Sequence, residues 1–138
     1  MLQDWYRHSA SSGNSWINGP DVFLYRYGFG NRTETNESFA MGNASEQATY
    51  EALHKDLDDE AASARAVELF DEEMQGLDCK QRDGVGAITT NFLSILRPLG
   101  KPLTFQSSRK TEMGLKYPVK TVTDFGYEDC IIDTKATL

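Results

Sequence analysis

The sequence predicts one domain of the α+β or α/β class, in which N-terminal helices are followed by an antiparallel β-meander. Two observations indicate this order. Apolar residues recur at helical spacing between about residues 43 and 96, and beyond Pro98 and Gly100 the pattern changes to period-two stretches separated by turn residues. A chain of 138 residues, 39% of them hydrophobic, can build one modest core. We therefore assign residues 1–138 to a single domain.

The N-terminal part is expected to contain two short helices within residues 9–27, separated by a Gly-Pro break. Ser9 or Ser11 is suitably placed to cap the first of them, because a serine hydroxyl accepts the free N–H groups of a first helical turn. Residues 28–38 are rich in polar residues and glycine, which predicts a loop.

Longer elements follow this loop. The helices are expected at residues 43–57, 60–74 and 85–96, and the strands at residues 103–112, 116–124 and 129–136. The last strand is strongly apolar, and such strands normally have neighbours on both sides. The sequence therefore predicts the first part of a larger domain, incomplete at its C-terminus.

Composition excludes several classes of protein. The net charge of −7 argues against a protein that coats nucleic acid through bulk positive charge, but not against a metal-dependent enzyme with acidic residues at its centre. The two cysteines have no CxxC spacing and only two histidines accompany them, so a structural zinc site is not expected. Since the chain has neither an apolar N-terminal signal nor a membrane-length apolar run, we expect a cytoplasmic protein without a membrane partner.

The predicted hairpin between the last two strands carries acidic residues on both arms. If its turn comprises residues 126–129, Phe125 faces Cys130, and Asp124 and Asp133 become diagonal neighbours on one face. Two carboxylates at this separation can converge on one cation. A turn that is one residue longer would direct Asp133 to the opposite face.

Lys135 follows Asp133 by two residues and therefore shares its face in the predicted strand. There it can touch a water molecule that is bound to the same cation. Spacing alone leaves an alternative open, namely a salt-bridged edge hairpin without a catalytic role.

The stretch "TDFGYEDCIIDTK" resembles the active-site hairpin of the PD-(D/E)xK nuclease superfamily, in particular its RecB-like branch. The resemblance implies a restriction-endonuclease-like core in which Asp124, Asp133 and Lys135 are catalytic. It also implies that Asp124 and Asp133 bind Mg²⁺ or Mn²⁺, and that Lys135 orients the attacking water. The branch continues with a further strand and a Gln-x-x-x-Tyr helix, so a further chain or a missing C-terminal segment is expected to complete the fold.

Two other stretches resemble motifs of the same branch. "SASSGNSWINGPDVFLYRY" resembles its N-terminal helix pair, with Gly19 in place of a cysteine that helps to hold an iron–sulfur cluster in some relatives, so no cluster is expected. "FAMGNASEQATYEAL" resembles the next motif, with Gly42 matched and Glu46 in place of the usual histidine. Glu46 shares a helix face with Tyr50 and Leu53, and a carboxylate on an apolar stripe needs a partner or a cation. It is either a third metal ligand or a half-exposed residue near the helix N-terminus.

The resemblance implies a metal-dependent nuclease that hydrolyses DNA, of the exonuclease type found in recombination, repair or phages. Lys110, Lys116 and Lys120 lie on the strand region and are candidate contacts to the DNA backbone. One alternative is a catalytically inactive nuclease fold that serves as a scaffold, an assembly protein or a nucleic-acid-binding protein. Another is an unrelated binding module, in which Asp124 and Asp133 would lie on opposite faces of the hairpin.

Overall fold

A computed structural model of the protein describes residues 2, 6–7, 9–31 and 36–136. Within these residues the chain forms five α-helices followed by a three-stranded antiparallel sheet, so the architecture is α+β, as predicted. The helices are α1 (Ala10–Asn18), α2 (Pro20–Phe23), α3 (Glu37–Lys55), α4 (Asp59–Met74) and α5 (Arg82–Leu96). The strands are β1 (Thr104–Thr111), β2 (Val119–Gly126) and β3 (Ile131–Ile132). None of the helices in the described part of the chain is both long and apolar enough to cross a lipid bilayer.

The chain divides into two compact units. The first comprises Met1–Glu34 and Ser108–Val122, and the second comprises Thr35–Ser107 and Thr123–Leu138. The single domain over residues 1–138 stays a prediction.

An aromatic cluster forms the centre of the first unit. Tyr6 is buried, and its ring meets those of Phe23, Tyr27 and Tyr117 edge to face, with centroids 5.8, 5.3 and 5.3 Å away. Each such pair contributes about 0.5–1.5 kcal/mol beyond the burial of its area. This small core therefore depends on ring packing rather than on aliphatic side chains.

Ser9 caps α1, as one of the two predicted candidates, Ser9 and Ser11. The hydroxyl of Ser9 accepts the N–H of Ser12 at 3.2 Å, and the hydroxyl of Ser12 accepts the N–H of Ser9 at 2.9 Å. This reciprocal pair satisfies two N–H groups that the helix leaves without partners. Residues 32–35 of the predicted polar loop lie outside the described residues.

Helices α3, α4 and α5 form most of the second unit. Along α3, Ala40, Ala44 and Ala48 recur every four residues and are fully or almost fully buried. Side chains four residues apart lie on one helix face, and small ones allow neighbouring helices to approach closely. This strip shares a core cluster with Phe70 of α4 and Val85 of α5.

Helix α3 begins before the predicted position 43, because Asn36 provides its cap. The side-chain oxygen of Asn36 accepts the N–H of Phe39 at 2.9 Å. The helix ends at Asp56, whose φ of 53° is left-handed. A non-glycine residue in this conformation stops a helix because the next turn cannot continue from it.

The order of the strands is β1-β2-β3, and the register of the β2–β3 hairpin differs from the predicted one. Phe125 pairs with Ile132, so the prediction that it faces Cys130 is wrong by two residues. The reason is the turn, which comprises Tyr127–Cys130 rather than residues 126–129 and is closed by the N–H of Tyr127 on the Cys130 carbonyl at 2.8 Å. A slip of two residues keeps every side chain on its predicted face.

Strand β3 is shorter than predicted, since residues 133–136 have no strand pairing. The hairpin is nevertheless firmly attached to the helices of the second unit. Phe125 is fully buried and belongs to the same core cluster as Leu93 and Leu96 of α5. This anchor fixes the position of its neighbour in β2, Asp124.

Candidate functional site

Asp124, Asp133 and Lys135 meet at the open end of the β2–β3 hairpin. The strand pairing ends with Phe125 and Ile132, so Asp133 lies just beyond the paired part of β3, where a diagonal arrangement with Asp124 inside the strand pair was predicted. The Asp133 carboxyl lies within hydrogen-bonding reach of Asp124, and Lys135 Nζ lies 2.7 Å from Asp133 Oδ2. The Asp133 carboxyl is therefore close to both Asp124 and Lys135.

Thr134, between Asp133 and Lys135, connects the hairpin to α3. Its N–H donates to Asp124 Oδ2 at 2.8 Å, and its hydroxyl oxygen lies 3.2 Å from the same oxygen and 3.0 Å from Glu46 Oε1. A hydroxyl has a single proton, so it can satisfy only one of the two carboxylates at a time. Thr134 therefore holds two carboxylates close together without neutralising either.

The contacts of Thr134 could not be predicted from strand alternation, for a physical reason. In a continuous strand its side chain would point away from Asp133 and Lys135. The chain leaves strand geometry after Ile132, and Thr134 is instead buried against the carboxylates. Its position between two predicted catalytic residues was the only sequence signal.

Glu46 reaches this group from α3. It is half-buried, and its second oxygen, Oε2, lies 3.5 Å from Gln106 Nε2. The pKa of Glu46 is raised, mainly by burial and further by the charge of Asp124. Hydrogen bonds from Thr134 and Gln106 and the charge of Lys135 lower this pKa, but they do not cancel the rise. A raised pKa means that this carboxylate gains from taking up a proton or a cation.

Gln106 holds an unusual backbone conformation inside β1. Its φ of 45° is left-handed, which costs a non-glycine residue about 1–3 kcal/mol. Such strain persists only where the surrounding contacts favour it, and it is common next to functional sites. Here it accompanies the contact of the Gln106 amide with Glu46.

The charges of the group do not balance. Glu46, Asp124 and Asp133 provide three carboxylates, against the single ammonium of Lys135. The hydrogen bond from Lys135 lowers the pKa of Asp133, and the same bond raises the pKa of Lys135. These four side chains therefore have a surplus of negative charge at neutral pH. We call them, together with Thr134, the carboxylate cluster.

The donor set of the cluster fits a hard divalent cation better than a softer metal. All its ligating atoms are oxygens, and Mg²⁺ is commonly held by one or two carboxylates together with water and phosphate. Among the described residues, no group of three or more Asp, Glu, His or Cys side chains is arranged to hold a metal ion. Glu46 and Asp124, which share Thr134, form the pair best suited to bind one.

The predicted DNA-binding lysines lie in the first unit, whereas the carboxylate cluster lies in the second. Lys110, Lys116 and Lys120 are all exposed. The ammonium of Lys116 lies 5.5 Å from the ring centroid of the neighbouring Tyr117. Their contact with DNA stays a prediction.

Comparisons with protein-family models, with curated proteins and with solved structures found no match to this chain. The resemblance to PD-(D/E)xK nucleases therefore stays a prediction, and the function has to be inferred from the side chains themselves.

Proposed function

We propose that the chain is a Mg²⁺- or Mn²⁺-dependent nuclease of the RecB-like PD-(D/E)xK type that hydrolyses DNA phosphodiester bonds. In this proposal it is an exonuclease of recombination, repair or phage biology. The observation that carries it is the meeting of Glu46 and Asp124 over the Thr134 hydroxyl, beside the Asp133–Lys135 pair. Acidic side chains from distant parts of the chain gather here with too little positive charge, an arrangement that a bound cation stabilises.

In the proposed mechanism, Glu46 and Asp124 would hold the cation, with Asp133 as the third ligand. A divalent cation held there supplies Lewis-acid stabilisation of the charge that develops on the phosphate. Lys135 donates to the attacking water and adds a second positive charge near the phosphate. The hydrogen bond to Asp133 raises the pKa of Lys135, so this side chain stays protonated at neutral pH and acts as a donor rather than as a base.

Two other observations support parts of the proposal. Cys79 and Cys130 are both free thiols, which agrees with a cytoplasmic location because disulfides are rare there. Strand β3 lies at an edge of the sheet formed by the described residues, which agrees with a further chain or segment beside this strand.

The decisive experiment is Mn²⁺-dependent digestion of linear DNA by the wild type and by Asp133→Ala. We expect the substitution to lower the rate by about 100-fold or more, because it removes a cation ligand and the partner of Lys135. Asp129→Ala is the matched control, since Asp129 is an exposed aspartate in the turn of the same hairpin. Lys135→Arg should not retain activity, because a planar guanidinium does not replace a compact ammonium. Equal rates for the wild type and Asp133→Ala would refute the proposal.

A catalytically inactive scaffold that binds nucleic acid or a partner protein is the second candidate. It is favoured by the ion pair of Lys135 with Asp133 at 2.7 Å, which occupies one predicted ligand. A Mn²⁺ titration separates the two candidates, because a scaffold should neither bind Mn²⁺ through Asp133 nor cut DNA.

A further inference from the structure

A cavity of about 450 Å³ opens beside the carboxylate cluster, within the second unit. It is lined by Phe39, Asn43 and Gln47 of α3, by Leu69 and Glu73 of α4, and by Gln106 of β1. Gln106 belongs to both sites, because its amide nitrogen also lies 3.5 Å from Glu46 Oε2. The cavity therefore begins one side chain away from the proposed cation site.

The geometry of α3 sets the distance between the two sites. Phe39, Asn43 and Glu46 are separated by four and three residues, so they lie on one face of the helix. At 1.5 Å per residue, Phe39 lies about 10 Å from Glu46 along the helix axis. This is about the reach of one nucleotide from its phosphate to the far edge of its base.

The apolar part of the cavity suits a flat aromatic ring. Phe39 is 61% exposed, although a phenylalanine gains most from burial. Leu69 on α4 lines the same cavity. An unpaired nucleobase can stack on an exposed phenylalanine ring whatever its sequence, because every base has a π-face.

The polar part of the cavity is formed by three carboxamides and the acceptor-only carboxylate of Glu73. Asn43 Nδ2 donates to Glu73 Oε1 at 3.3 Å, and Gln47 Nε2 donates to Glu51 Oε1 at 3.0 Å. Within the described part of the chain, no hydrogen bond reaches the amide oxygen of either residue. Among the described residues, the two amide oxygens and the second carboxylate oxygen of Glu73 thus have no donor, while the negative charge of Glu73 disfavours a phosphate.

We propose that this cavity is a subsite for an unpaired nucleobase that carries an exocyclic amino group, next to the phosphate at the carboxylate cluster. The proposal rests on the proposed nuclease function. Adenine and cytosine present such amino donors, whereas thymine presents a carbonyl and a methyl group at the same edge. Because the base edge must be free to enter the cavity, the substrate class is single-stranded DNA or a frayed end.

The test uses nucleosides, which have no phosphate, in the presence of EDTA. Deoxyadenosine, deoxycytidine and thymidine are titrated against the full chain and followed by ligand-observed NMR. We expect deoxyadenosine and deoxycytidine to bind at least about fivefold more tightly than thymidine, a difference that corresponds to about one hydrogen bond. Equal affinities, or no binding at all, would overturn the subsite.

Variants then assign any binding to the cavity. Phe39→Leu should weaken binding of all three nucleosides by about tenfold through loss of stacking. Phe29→Leu is the matched control, because Phe29 is 76% exposed and does not line the cavity. Glu73→Gln should reduce the preference for amino-bearing bases, because it replaces an acceptor oxygen by a donor. Unchanged affinity in Phe39→Leu, or an unchanged preference in Glu73→Gln, would contradict the proposal.

Failure of the subsite can be distinguished from failure of the nuclease proposal. Asp133→Ala should lose Mn²⁺-dependent cleavage and keep nucleoside binding, because Asp133 does not line the cavity. Cleavage without selective nucleoside binding would overturn the subsite alone. Selective binding without cleavage by the wild type would overturn the nuclease alone.

Discussion

Replacement of Glu46 by glutamine should stabilise the cation-free protein, an unusual result for a half-buried residue. Glu46 Oε1 and Asp124 Oδ2 lie 3.0 and 3.2 Å from one hydroxyl oxygen, so they are at most about 6 Å apart. Two full charges at about 6 Å repel by about 3 kcal/mol at an effective dielectric constant of about 20. Partial exposure and a weaker hydrogen bond from Thr134 reduce this, so we expect a net gain of about 1–2 kcal/mol.

Glu51→Gln is the matched control, because it makes the same change on the same helix. Its carboxylate lies 3.1 Å from Arg65 Nε and 3.2 Å from Lys55 Nζ. Burial favours a higher pKa for Glu51, but hydrogen bonds from Gln47, Arg65 and Lys55 together lower it to about 2. Since Lys55 and part of Arg65 are exposed, we expect a loss of only about 1–2 kcal/mol in Glu51→Gln.

The two variants should also differ in their dependence on pH. The raised pKa of Glu46 means that its destabilising charge is absent below about pH 4.5 and develops as pH rises through the folded-state pKa. The advantage of Glu46→Gln should therefore vanish near pH 4 and grow as pH rises towards 7. Glu51 stabilises the fold above about pH 4.5, and this contribution is lost as pH falls towards 2.

The assay is urea unfolding in EDTA at pH 4 and pH 7, repeated with Mn²⁺ at pH 7. Added Mn²⁺ should stabilise the wild type by mass action and have little effect on Glu46→Gln. The reasoning is refuted if Glu46→Gln is less stable than the wild type in EDTA at pH 7. A shift of both variants in the same direction would equally contradict it.

Two further predictions concern the parts that position the cluster. Thr134→Val should weaken Mn²⁺ binding about tenfold in a calorimetric titration, whereas Thr134→Ser should restore it, because outer hydrogen bonds orient metal ligands. Thr123→Val is its control, since the Thr123 hydroxyl donates to the Ser107 carbonyl at 3.5 Å rather than to a carboxylate of the cluster; an equal loss in both valine variants would exclude a positioning role. Phe125→Ala should cost about 3–5 kcal/mol in urea unfolding, because Phe125 is fully buried. A loss below about 1 kcal/mol would mean that this residue does not anchor the hairpin.

Several features of the fold were predictable from short windows of sequence. The spacing of alanines and larger apolar residues indicated the three long helices. The cap of α1 was predicted to be Ser9 or Ser11, and it is Ser9. The start of α3 was wrong because a polar residue in the preceding loop, Asn36, provides the cap. Several nearby polar residues can each cap the same helix. The local pattern therefore predicts the existence of a helix more reliably than its first residue.

The β2–β3 hairpin was predictable from the sequence only in part. Alternation along two strands predicted Asp124 and Asp133 on one face, but the paired part of β3 ends at Ile132, so Asp133 lies beyond the reach of that rule. The length of β3 was not predictable, since strand pairing ends where Thr134 bonds Asp124 and Glu46. That contact joins residues 88 positions apart.

By itself, the sequence determined that helices precede an antiparallel sheet in an α+β fold, and it predicted the residues that we propose as cation ligands. Only the tertiary structure decided that Thr134 joins Glu46 to Asp124 and that Gln106 lies between this cluster and a cavity beside Phe39. Helical spacing and strand alternation are properties of neighbouring residues, so they can be read along the chain. Contacts between α3, β1 and the end of the hairpin depend on how buried faces pack, and residues distant in sequence determine that together.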